Sequence, residues 1–213
     1  MSTLALAPPD FLRLVRERLR AEPPDLTEAL ANPRGDHSTD IVPHVIPVDP
    51  KPAAVLVPVV LREPEPAVLL TERASGLRQH SGQIAFPGGR VDPEDGSVLA
   101  AALREAREEI GLEERFVRPL GYLDAYLSGT NYLVTPVVAE VSPDYTLAIN
   151  PEEVAAAFEV PLSFLMDGAN HELHSREWKG RERRYYAMPY GERYIWGVTA
   201  GIIRNMYEKL YHT

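Results

Sequence analysis

Apolar side chains recur every three to four positions in several parts of the chain, which is the period of a helix with one buried face. Residues 10–20 and 196–210 have this spacing, the run 97–110 is rich in residues that favour a helix, and a shorter helical piece is expected at 154–166. In the segment 97–110 both ends are marked, because Ser97 can cap the N-terminus and Gly111 can take the left-handed conformation that ends a helix. All four segments are therefore predicted to be helical.

Runs of β-branched and aromatic residues between turn-forming residues predict strands. These runs are 53–61, 67–71, 116–127 and 132–141, followed by a looser alternation over 171–190. The turn-prone segment 62–66 joins the first two into a predicted hairpin, and residues 128–131 form a predicted turn between the next two. Strands interleaved with a few helices indicate an α/β fold.

A chain of 213 residues, 45% of them hydrophobic, can bury one core and has length left for extra terminal elements. Residues 21–52 are rich in Pro, Asp, Asn and Thr and have no clear period, which indicates an extended arm. We therefore expect residues 1–52 to form an N-terminal helix and arm, and residues 53–213 to form the main domain. The arm and the tyrosine-rich tail could serve a homodimer.

The composition excludes several classes of function. A formal net charge of −9 argues against general binding to nucleic acid, which relies on clustered Lys and Arg. The absence of cysteine excludes disulfides, thiolate nucleophiles and cysteine-bound zinc. No apolar run approaches the roughly 20 residues that span a bilayer, and the first ten residues do not resemble a secretory signal. We expect a soluble, cytoplasmic protein without nucleic-acid or membrane partners.

Three glutamates share one face of the helix predicted over 97–110. Glu105, Glu108 and Glu109 stand at positions i, i+3 and i+4, so their Cβ atoms lie within about 5–6 Å of one another. Like charges at this spacing destabilise a helix, and hard divalent cations such as Mg²⁺ prefer carboxylate oxygens. The pattern suits a metal site, although a solvated acidic face compensated by Arg104 and Arg107 would have the same sequence.

Residues 104–112 decide between these two interpretations. Their sequence, Arg-Glu-Ala-Arg-Glu-Glu-Ile-Gly-Leu, resembles the second half of the Nudix box, the signature of Nudix hydrolases. Every fixed position of that half is matched, and only Ala106 is small for an aliphatic position. The resemblance implies the Nudix α/β/α sandwich, in which a mixed β-sheet lies between helices, and metal-dependent hydrolysis of a phosphoanhydride bond.

The first half of the box departs from the family pattern. Counting back from Arg104 places Gly96 where the box has an isolated glutamate, and Arg90 where it has a glycine. One inserted residue brings Asp95 and Gly89 to these two positions. The role of Asp95 is left open by this departure, whereas the paired glutamates are unaffected.

A second motif precedes the box. The run Leu-Leu-Thr-Glu-Arg at 69–73, followed by Arg78, Gly82 and the Phe-Pro-Gly-Gly run at 86–89, resembles the extended motif of the coenzyme A pyrophosphatase branch of Nudix hydrolases. That branch often carries a lengthened box like this one. Further segments similar to the family lie at 150–154 and 195–197. The resemblance implies coenzyme A (CoA) or an acyl-CoA as the substrate, with 3′,5′-ADP and (acyl-)4′-phosphopantetheine as products.

The resemblance also implies roles for individual residues. The box glutamates would hold Mg²⁺ or Mn²⁺, with a glycine carbonyl completing a site, and a carboxylate would deprotonate the attacking water. Glu105 and the loop residue Glu153 are the two candidates for this base. The predicted catalytic residues are Glu105, Glu108, Glu109 and Glu153; the predicted metal ligands are Glu105, Glu108, Glu109 and Gly88; and the predicted substrate-binding residues are Arg73, Arg78, Gly88, Gly89 and Arg90.

The arginines around the glycine turn have a physical rationale of their own. Arg73, Arg78 and Arg90 flank this turn, where guanidinium groups could hold the diphosphate and the 3′-phosphate of CoA. Each of them could equally be a surface charge or part of a structural ion pair. His80, in the same segment, is expected to be a hydrogen-bonding loop residue rather than a metal ligand.

Two other functions are compatible with the same motifs. One is a Nudix hydrolase of another nucleoside diphosphate derivative, such as ADP-ribose or NADH, or of nucleoside triphosphates. The other is a Nudix module that binds without catalysis. Degenerate members of this kind usually lose a box glutamate, and all three are present here.

Overall fold

The computed structural model describes residues 7–31, 34–35, 49–76, 82–178 and 181–211. The helices are α1 (Pro8–Arg18), α2 (Leu26–Ala31), α3 (Val98–Ile110), α4 (Leu162–Leu165) and α5 (Val198–Tyr211). The strands are β1 (Arg34–Gly35), β2 (Lys51–Val60), β3 (Ala67–Arg73), β4 (Ile84–Ala85), β5 (Gly88–Arg90), β6 (Val117–Tyr122), β7 (Tyr126–Leu127), β8 (Tyr132–Val141), β9 (Val154–Pro161), β10 (Glu172–Trp178), β11 (Arg181–Tyr190) and β12 (Arg193–Trp196). Within these ranges, no helix combines the length and the apolar composition that crossing a membrane requires.

Strand β2 lies at the centre of the main sheet, which has nine strands in the described residues. It pairs in parallel with β8 along its whole length, and its other edge is shared by the antiparallel strands β5 and β3. Strands β6 and β7 pair with the far edge of β8, β1 runs parallel to β7, and β4 and β9 pair with β3. The predicted mixed sheet and the predicted hairpin of β2 and β3 are confirmed.

The two faces of the sheet are covered by different helices. Along β2, the side chains of Ala54, Leu56 and Val60 pack beneath α3, whereas Val57 and Val59 point to the opposite face, where α1 and α5 lie. This alternation follows from the two-residue period of a strand. The result is the predicted α/β/α sandwich, in which α3 is the helix of the described residues that covers the face with the acidic residues.

A second, three-stranded antiparallel sheet, β10–β11–β12, packs beside α5. Met188 and Ile195 of this sheet are fully buried in the same core as α5. The hydroxyl of Thr199, in the first turn of α5, donates a hydrogen bond to the carbonyl of Ile84 at 2.9 Å. This bond holds the end of β12 and the start of α5 against β4, close to the glycine turn that follows it.

The helix predicted over 154–166 is wrong for most of its length. Residues Val154–Pro161 form β9, antiparallel to β3, and only Leu162–Leu165 are helical. The three alanines at 155–157 favour a helix by intrinsic propensity. Pairing with β3 along its full length overrides that preference, because strand formation depends mainly on what the strand packs against.

The predicted arm and one predicted strand are divided more finely in the structure. Within the arm over 21–52, residues Leu26–Ala31 form α2, and Arg34–Gly35 form β1, which pairs with β7. Residues 36–48 lie outside the described part. The strand predicted over 116–127 is interrupted between β6 and β7. Two-residue strands such as β1 and β7 carry no period of their own and exist through their partners.

Helix α1 shares the core of the rest of the chain. Phe11 and Val15 are fully buried in the same cluster as Met206 of α5. The Nη1 group of Arg18 donates a hydrogen bond to the carbonyl of Leu210 at 3.0 Å. The division of the chain at residue 52 into an arm and a main domain stays a prediction, and the packing of α1 suggests how to test it.

We expect Phe11→Ala to destabilise the whole chain by about 3 kcal/mol or more, the usual cost of removing a buried aromatic ring. Urea denaturation followed by circular dichroism measures this change. Arg16→Ala is the matched control, because Arg16 is exposed on the same helix, and its effect should stay within about 0.5 kcal/mol. An equally small effect of Phe11→Ala would mean that α1 is a dispensable appendage.

Candidate active site

The glycine pair at the start of β5 lies directly against α3. Gly89 pairs with Ala54 and Gly88 pairs with Val55 of β2. A Cβ atom on Gly89 would lie 2.5 Å from the nearest carboxylate oxygen of Glu105, and one on Gly88 would lie 2.4 Å from the carbonyl oxygen of Ala54. A side chain at Gly88 would meet the backbone of β2, whereas one at Gly89 would displace the carboxylate of Glu105.

Glu109 is the most deeply buried carboxylate of the box, with only 3% of its surface exposed. Its Oε2 atom accepts a hydrogen bond from the backbone N–H of Gly88 at 3.2 Å, and its Oε1 atom lies 3.6 Å from Nη1 of Arg73. Burial raises the pKa of Glu109 to about 7, against the opposing effects of Gly88 and Arg73. The carboxylate is thus desolvated with only partial compensation by positive charge.

Glu105 and Glu108 are held by one arginine of the same helix. The Nη1 group of Arg104 lies 3.1 Å from Glu105 Oε1 and 2.9 Å from Glu108 Oε2. Burial raises the pKa of the Glu105 carboxyl, Arg104 opposes this shift, and the neighbouring charge of Glu108 adds to it. Glu108 is exposed over about half of its side chain, so the three carboxylates run from buried to solvent-facing around the helix.

The structure gives Asp95 a role that the sequence leaves open. Its two carboxylate oxygens accept hydrogen bonds from Arg104, at 2.7 Å from Nε and 3.0 Å from Nη2. The backbone N–H of Asp92 donates to the same carboxylate at 2.7 Å, closing a capped turn. These bonds, the one from Arg104 above all, hold the pKa of Asp95 below its usual range. Asp95 therefore fixes the arginine that holds Glu105 and Glu108.

The loop that carries Glu153 is tied to the end of α3. The backbone N–H of Asn150 donates to the carbonyl of Glu109 at 2.9 Å, and the Asn150 side chain donates to Glu153 Oε1 at 3.2 Å. The carbonyl of Glu153 accepts from the N–H of Ala74, just after β3, at 2.9 Å. Burial is the main cause of the raised pKa values of Glu105 and Glu109, and the charge of Glu153 adds to both.

The predicted substrate-binding arginines are placed differently. Arg73 lies beside Glu109, and its Nε atom is buried without a hydrogen-bond partner among the described residues. Arg90 is exposed on β5, and its backbone carbonyl accepts from Nη2 of Arg104 at 3.2 Å. Because side chains alternate along a strand, that of Arg90 projects from the face opposite to Gly89. Arg78 and His80 lie outside the described residues.

Sequence reasoning missed the supporting residues of this site. Asn150 joins the loop to α3, and Arg104 bridges two carboxylates of the box and Asp95. The signal for Asn150 is its position in the turn-forming run 150–153, two residues before the acidic pair begins. The i,i+4 spacing indicates the contact of Arg104 with Glu108, but the sequence does not show its contact with Asp95.

Carboxylates and backbone carbonyls are the donors that suit Mg²⁺ or Mn²⁺. As they stand, no three His, Asp or Glu side chains in the described residues converge closely enough to enclose an ion. Arg104 accounts for this, because it draws Glu105 and Glu108 toward itself. Mg²⁺ keeps several waters and needs only one or two carboxylates. Desolvated Glu109 and Glu105, beside a turn that bears no side chains, therefore fit a divalent cation.

A hollow of about 900 Å³ lies along the outer face of α3. Leu99, Ala100 and Leu103 contribute apolar surface to it, and only Arg104 and Glu108 are shared with the cluster described above. Because Glu105 and Glu109 face the sheet and not this hollow, the hollow is not where the carboxylates converge.

We expect Gly89→Ala to reduce activity by roughly 100-fold, the scale on which a displacement of about 1 Å in a catalytic group acts. The added methyl group would displace the carboxylate of Glu105, which can move without disturbing the backbone. The free energy of unfolding should change by less than about 1 kcal/mol. Steady-state kinetics together with urea denaturation test both parts.

Gly88→Ala is the matched comparison for this variant. At that position the methyl group would meet the backbone of β2, which cannot move away cheaply. This variant should lose about 1–3 kcal/mol of stability through overpacking. If the two variants lose stability equally, Gly89 is a structural position and its contact with Glu105 has no special role.

Known proteins resemble this chain in sequence. The family model described as the NUDIX domain matches residues 50–180. Proteins named uncharacterized Nudix hydrolase NudL are 48% identical over 155 residues in Cronobacter sakazakii, covering 72% of this chain and 80% of that protein, and 43% identical over 158 residues in Photorhabdus laumondii, covering 74% and 84%. The crystal structure of DR0079 from Deinococcus radiodurans is similar with a TM-score of 0.49 at 16% identity, covering 80% of this chain and 95% of that one.

Proposed function

Because the chain belongs to the Nudix hydrolase family, we propose that it hydrolyses the diphosphate bond of CoA or an acyl-CoA with Mg²⁺ or Mn²⁺. The products would be 3′,5′-ADP and (acyl-)4′-phosphopantetheine. The observation that carries the proposal is the approach of the Gly88–Gly89 backbone to Glu105 and Glu109. This approach places desolvated carboxylates beside a backbone surface without side chains, where a diphosphate can bind.

Glu105, Glu108 and Glu109 would hold the divalent cation, with the carbonyl of Gly88 as a further ligand. When bound, the cation neutralises the charge of the diphosphate and lowers the pKa of a water molecule. Arg104 and the cation would compete for the same carboxylates, because Arg104 pairs with Glu105 and Glu108 and is itself held by Asp95. A bound cation would have to take Glu105 and Glu108 from Arg104, whose contact with Asp95 would remain.

Two carboxylates are candidates for the base that takes a proton from the attacking water. Glu105 is half-buried, and burial raises its pKa, which favours proton acceptance near neutral pH. Glu153 lies on a loop fixed by Asn150, close enough for its charge to affect Glu105. Whichever carboxylate takes the proton, the resulting hydroxide would attack one phosphorus of the diphosphate in line. The bond from that phosphorus to the bridging oxygen would then break, and the other phosphate would leave with that oxygen.

Arg73 supports an anionic substrate at this site. Its Nη1 group stands 3.6 Å from Glu109, beyond a good hydrogen bond, and its Nε atom is buried without a partner in the described part of the chain. A buried donor left unpaired is costly, and a phosphate oxygen is a strong acceptor for a guanidinium. We therefore assign Arg73 to the diphosphate, together with Gly89. Arg78 and Arg90 stay as predicted substrate contacts.

The choice of CoA depends on the motif formed by residues 69–73, 78, 82 and 86–89. Three of its described residues lie near the carboxylates: Arg73 ends β3 beside Glu109, and Gly88 and Gly89 lie against β2 and α3. Leu70 and Phe86 of the same motif are buried in the core on the other face of the sheet. The motif therefore supports the choice of CoA through Arg73 and the glycine pair, which stand where residues that select a substrate must act.

A substrate panel tests the proposal. We expect kcat/KM for CoA to exceed the values for ADP-ribose, NADH and diadenosine polyphosphates by about tenfold or more, with Mg²⁺ or Mn²⁺ present. Mass spectrometry of the products should give 3′,5′-ADP and 4′-phosphopantetheine. If ADP-ribose is the best substrate in the same panel, the assignment to CoA is wrong, although a Nudix hydrolase remains.

A further inference from the structure

The small sheet has one face that the core does not use. Met188 and Ile195 point into the core, and because side chains alternate along strands, their neighbours point the other way. We call this surface the outer face of the small sheet. The residues on it that matter here are His174, Arg176, Arg183, Tyr185, Tyr194 and Trp196.

Aromatic rings and a guanidinium form a continuous platform on the outer face. The rings of Tyr185 and Trp196 meet edge to face with centroids 5.4 Å apart, and His174 stacks on Tyr185 at 5.9 Å. The guanidinium carbon of Arg176 lies 4.8 Å from the centroid of Trp196 and 5.8 Å from that of Tyr185. Platforms of aromatic rings and arginine stack favourably with nucleobases.

The outer face also concentrates positive charge. Arg176 and Arg183 are direct cross-strand partners, and like charges in this position destabilise a sheet. The Nε atom of Arg183 is buried without a hydrogen-bond partner among the described residues. Glu172 shares the face, but it bonds to His174 at 2.7 Å. Arg176 and Arg183 thus share this face in a chain whose net charge is −9. An anion between the two arginines would accept hydrogen bonds from both guanidinium groups.

The position of the outer face relates it to the candidate active site. Strand β12, which ends at Trp196, lies against β4, and Thr199 is bonded to Ile84 of that strand. Strand β4 pairs with β3 at Thr71 and Glu72, next to Arg73. A ligand whose diphosphate lies at Arg73 therefore has a second recognition surface at the same end of the main sheet.

We propose that the outer face of the small sheet binds the adenosine 3′-phosphate end of the substrate. The adenine ring would stack on the platform of Tyr185 and Trp196, and the 3′-phosphate would lie between Arg176 and Arg183. This inference rests on the proposed function, because it assumes a substrate that carries a purine and a phosphate beyond the diphosphate. It assigns selection of the nucleotide end to a surface separate from the carboxylates.

Quenching of Trp196 fluorescence tests the proposal without catalysis. The chain has two tryptophans, so a Trp178→Phe background isolates the signal, and EDTA removes cations that would recruit ligands to the carboxylates. Titration with adenosine 3′,5′-bisphosphate should give saturable quenching. AMP, which lacks the 3′-phosphate, should bind about tenfold more weakly, the cost of losing charged hydrogen bonds. Absence of quenching by the bisphosphate overturns the proposal.

Variants of the outer face locate the binding. Arg176→Ala and Arg183→Gln should each raise Kd for the bisphosphate by about tenfold, and Tyr185→Leu by a similar factor through lost stacking. Leu173→Ala is the matched control, because this exposed residue lies on the opposite face of the same sheet. Circular dichroism identifies any variant that does not fold, and the others still decide the question. Unchanged Kd in the folded variants overturns the proposal.

Two further outcomes separate this proposal from the function on which it rests. If CoA is hydrolysed with the same KM by wild type and Arg176→Ala, the subsite is wrong and the proposed function stands. If the bisphosphate binds as expected while CoA is not hydrolysed, the subsite is supported and the proposed function fails. A dimer in size-exclusion chromatography that the same substitutions dissociate would show that the outer face contacts a second copy, and would overturn the proposal.

Discussion

Glu108→Gln is expected to lower kcat by at least about 100-fold while leaving the thermal midpoint within about 2 °C of wild type. A loss of this size is typical when one charged group of a preorganised site is removed. The fold should tolerate the change, because more than half of the Glu108 side chain is exposed and its partner in the described residues is Arg104. Steady-state kinetics with saturating Mn²⁺ and differential scanning calorimetry measure the two effects.

Glu113→Gln is the control for Glu108→Gln. Glu113 is about equally exposed and also pairs with an arginine, Arg115, at 2.8 Å, but it lies beyond the end of α3. Its loss should leave kcat unchanged within about twofold. Near-normal turnover in Glu108→Gln would remove Glu108 from the metal site and leave it as a solvated charge of the helix surface.

Glu109→Gln should weaken metal binding without impairing folding. In EDTA we expect this variant to be at least as stable as wild type, because a carboxylate with 3% exposure loses solvation that the Arg73 guanidinium, at 3.6 Å, restores only in part. The amide oxygen of glutamine can still accept the hydrogen bond from Gly88. Mn²⁺ at about 100 times its Kd should add about 2.7 kcal/mol to the stability of wild type and little to the variant.

Thermal denaturation with and without Mn²⁺ measures both parts of this expectation, and Glu113→Gln again serves as the control that should respond like wild type. Activity of Glu109→Gln should fall by at least about 100-fold. A variant that is much less stable in EDTA would show that the carboxylate is a structural partner of Gly88. A variant that gains as much from Mn²⁺ as wild type would show that the cation binds elsewhere.

The sequence predicts correctly those helices and strands whose ends are marked by nearby residues. The helix over 97–110 was predicted nearly to the residue, because Ser97 and Gly111 mark its ends, and the side chain of Ser97 does accept a hydrogen bond from the N–H of Ala100. By contrast, the segment 154–166 was assigned to the wrong class. Its alanines favour a helix locally, and its pairing with β3 depends on residues more than 80 positions away in sequence.

The sequence by itself determined the family, the mixed α/β class and the helical face on which Glu105, Glu108 and Glu109 lie, because each depends on spacing along the chain. The tertiary structure decided which of these carboxylates is shielded from water and which residues shield it. Glu109 is buried because Gly88 and Arg73 come to it from the sheet, and Glu105 abuts Gly89 because β5 pairs with β2 beneath α3. Burial and charge pairing arise between segments distant in sequence, so local patterns do not encode them.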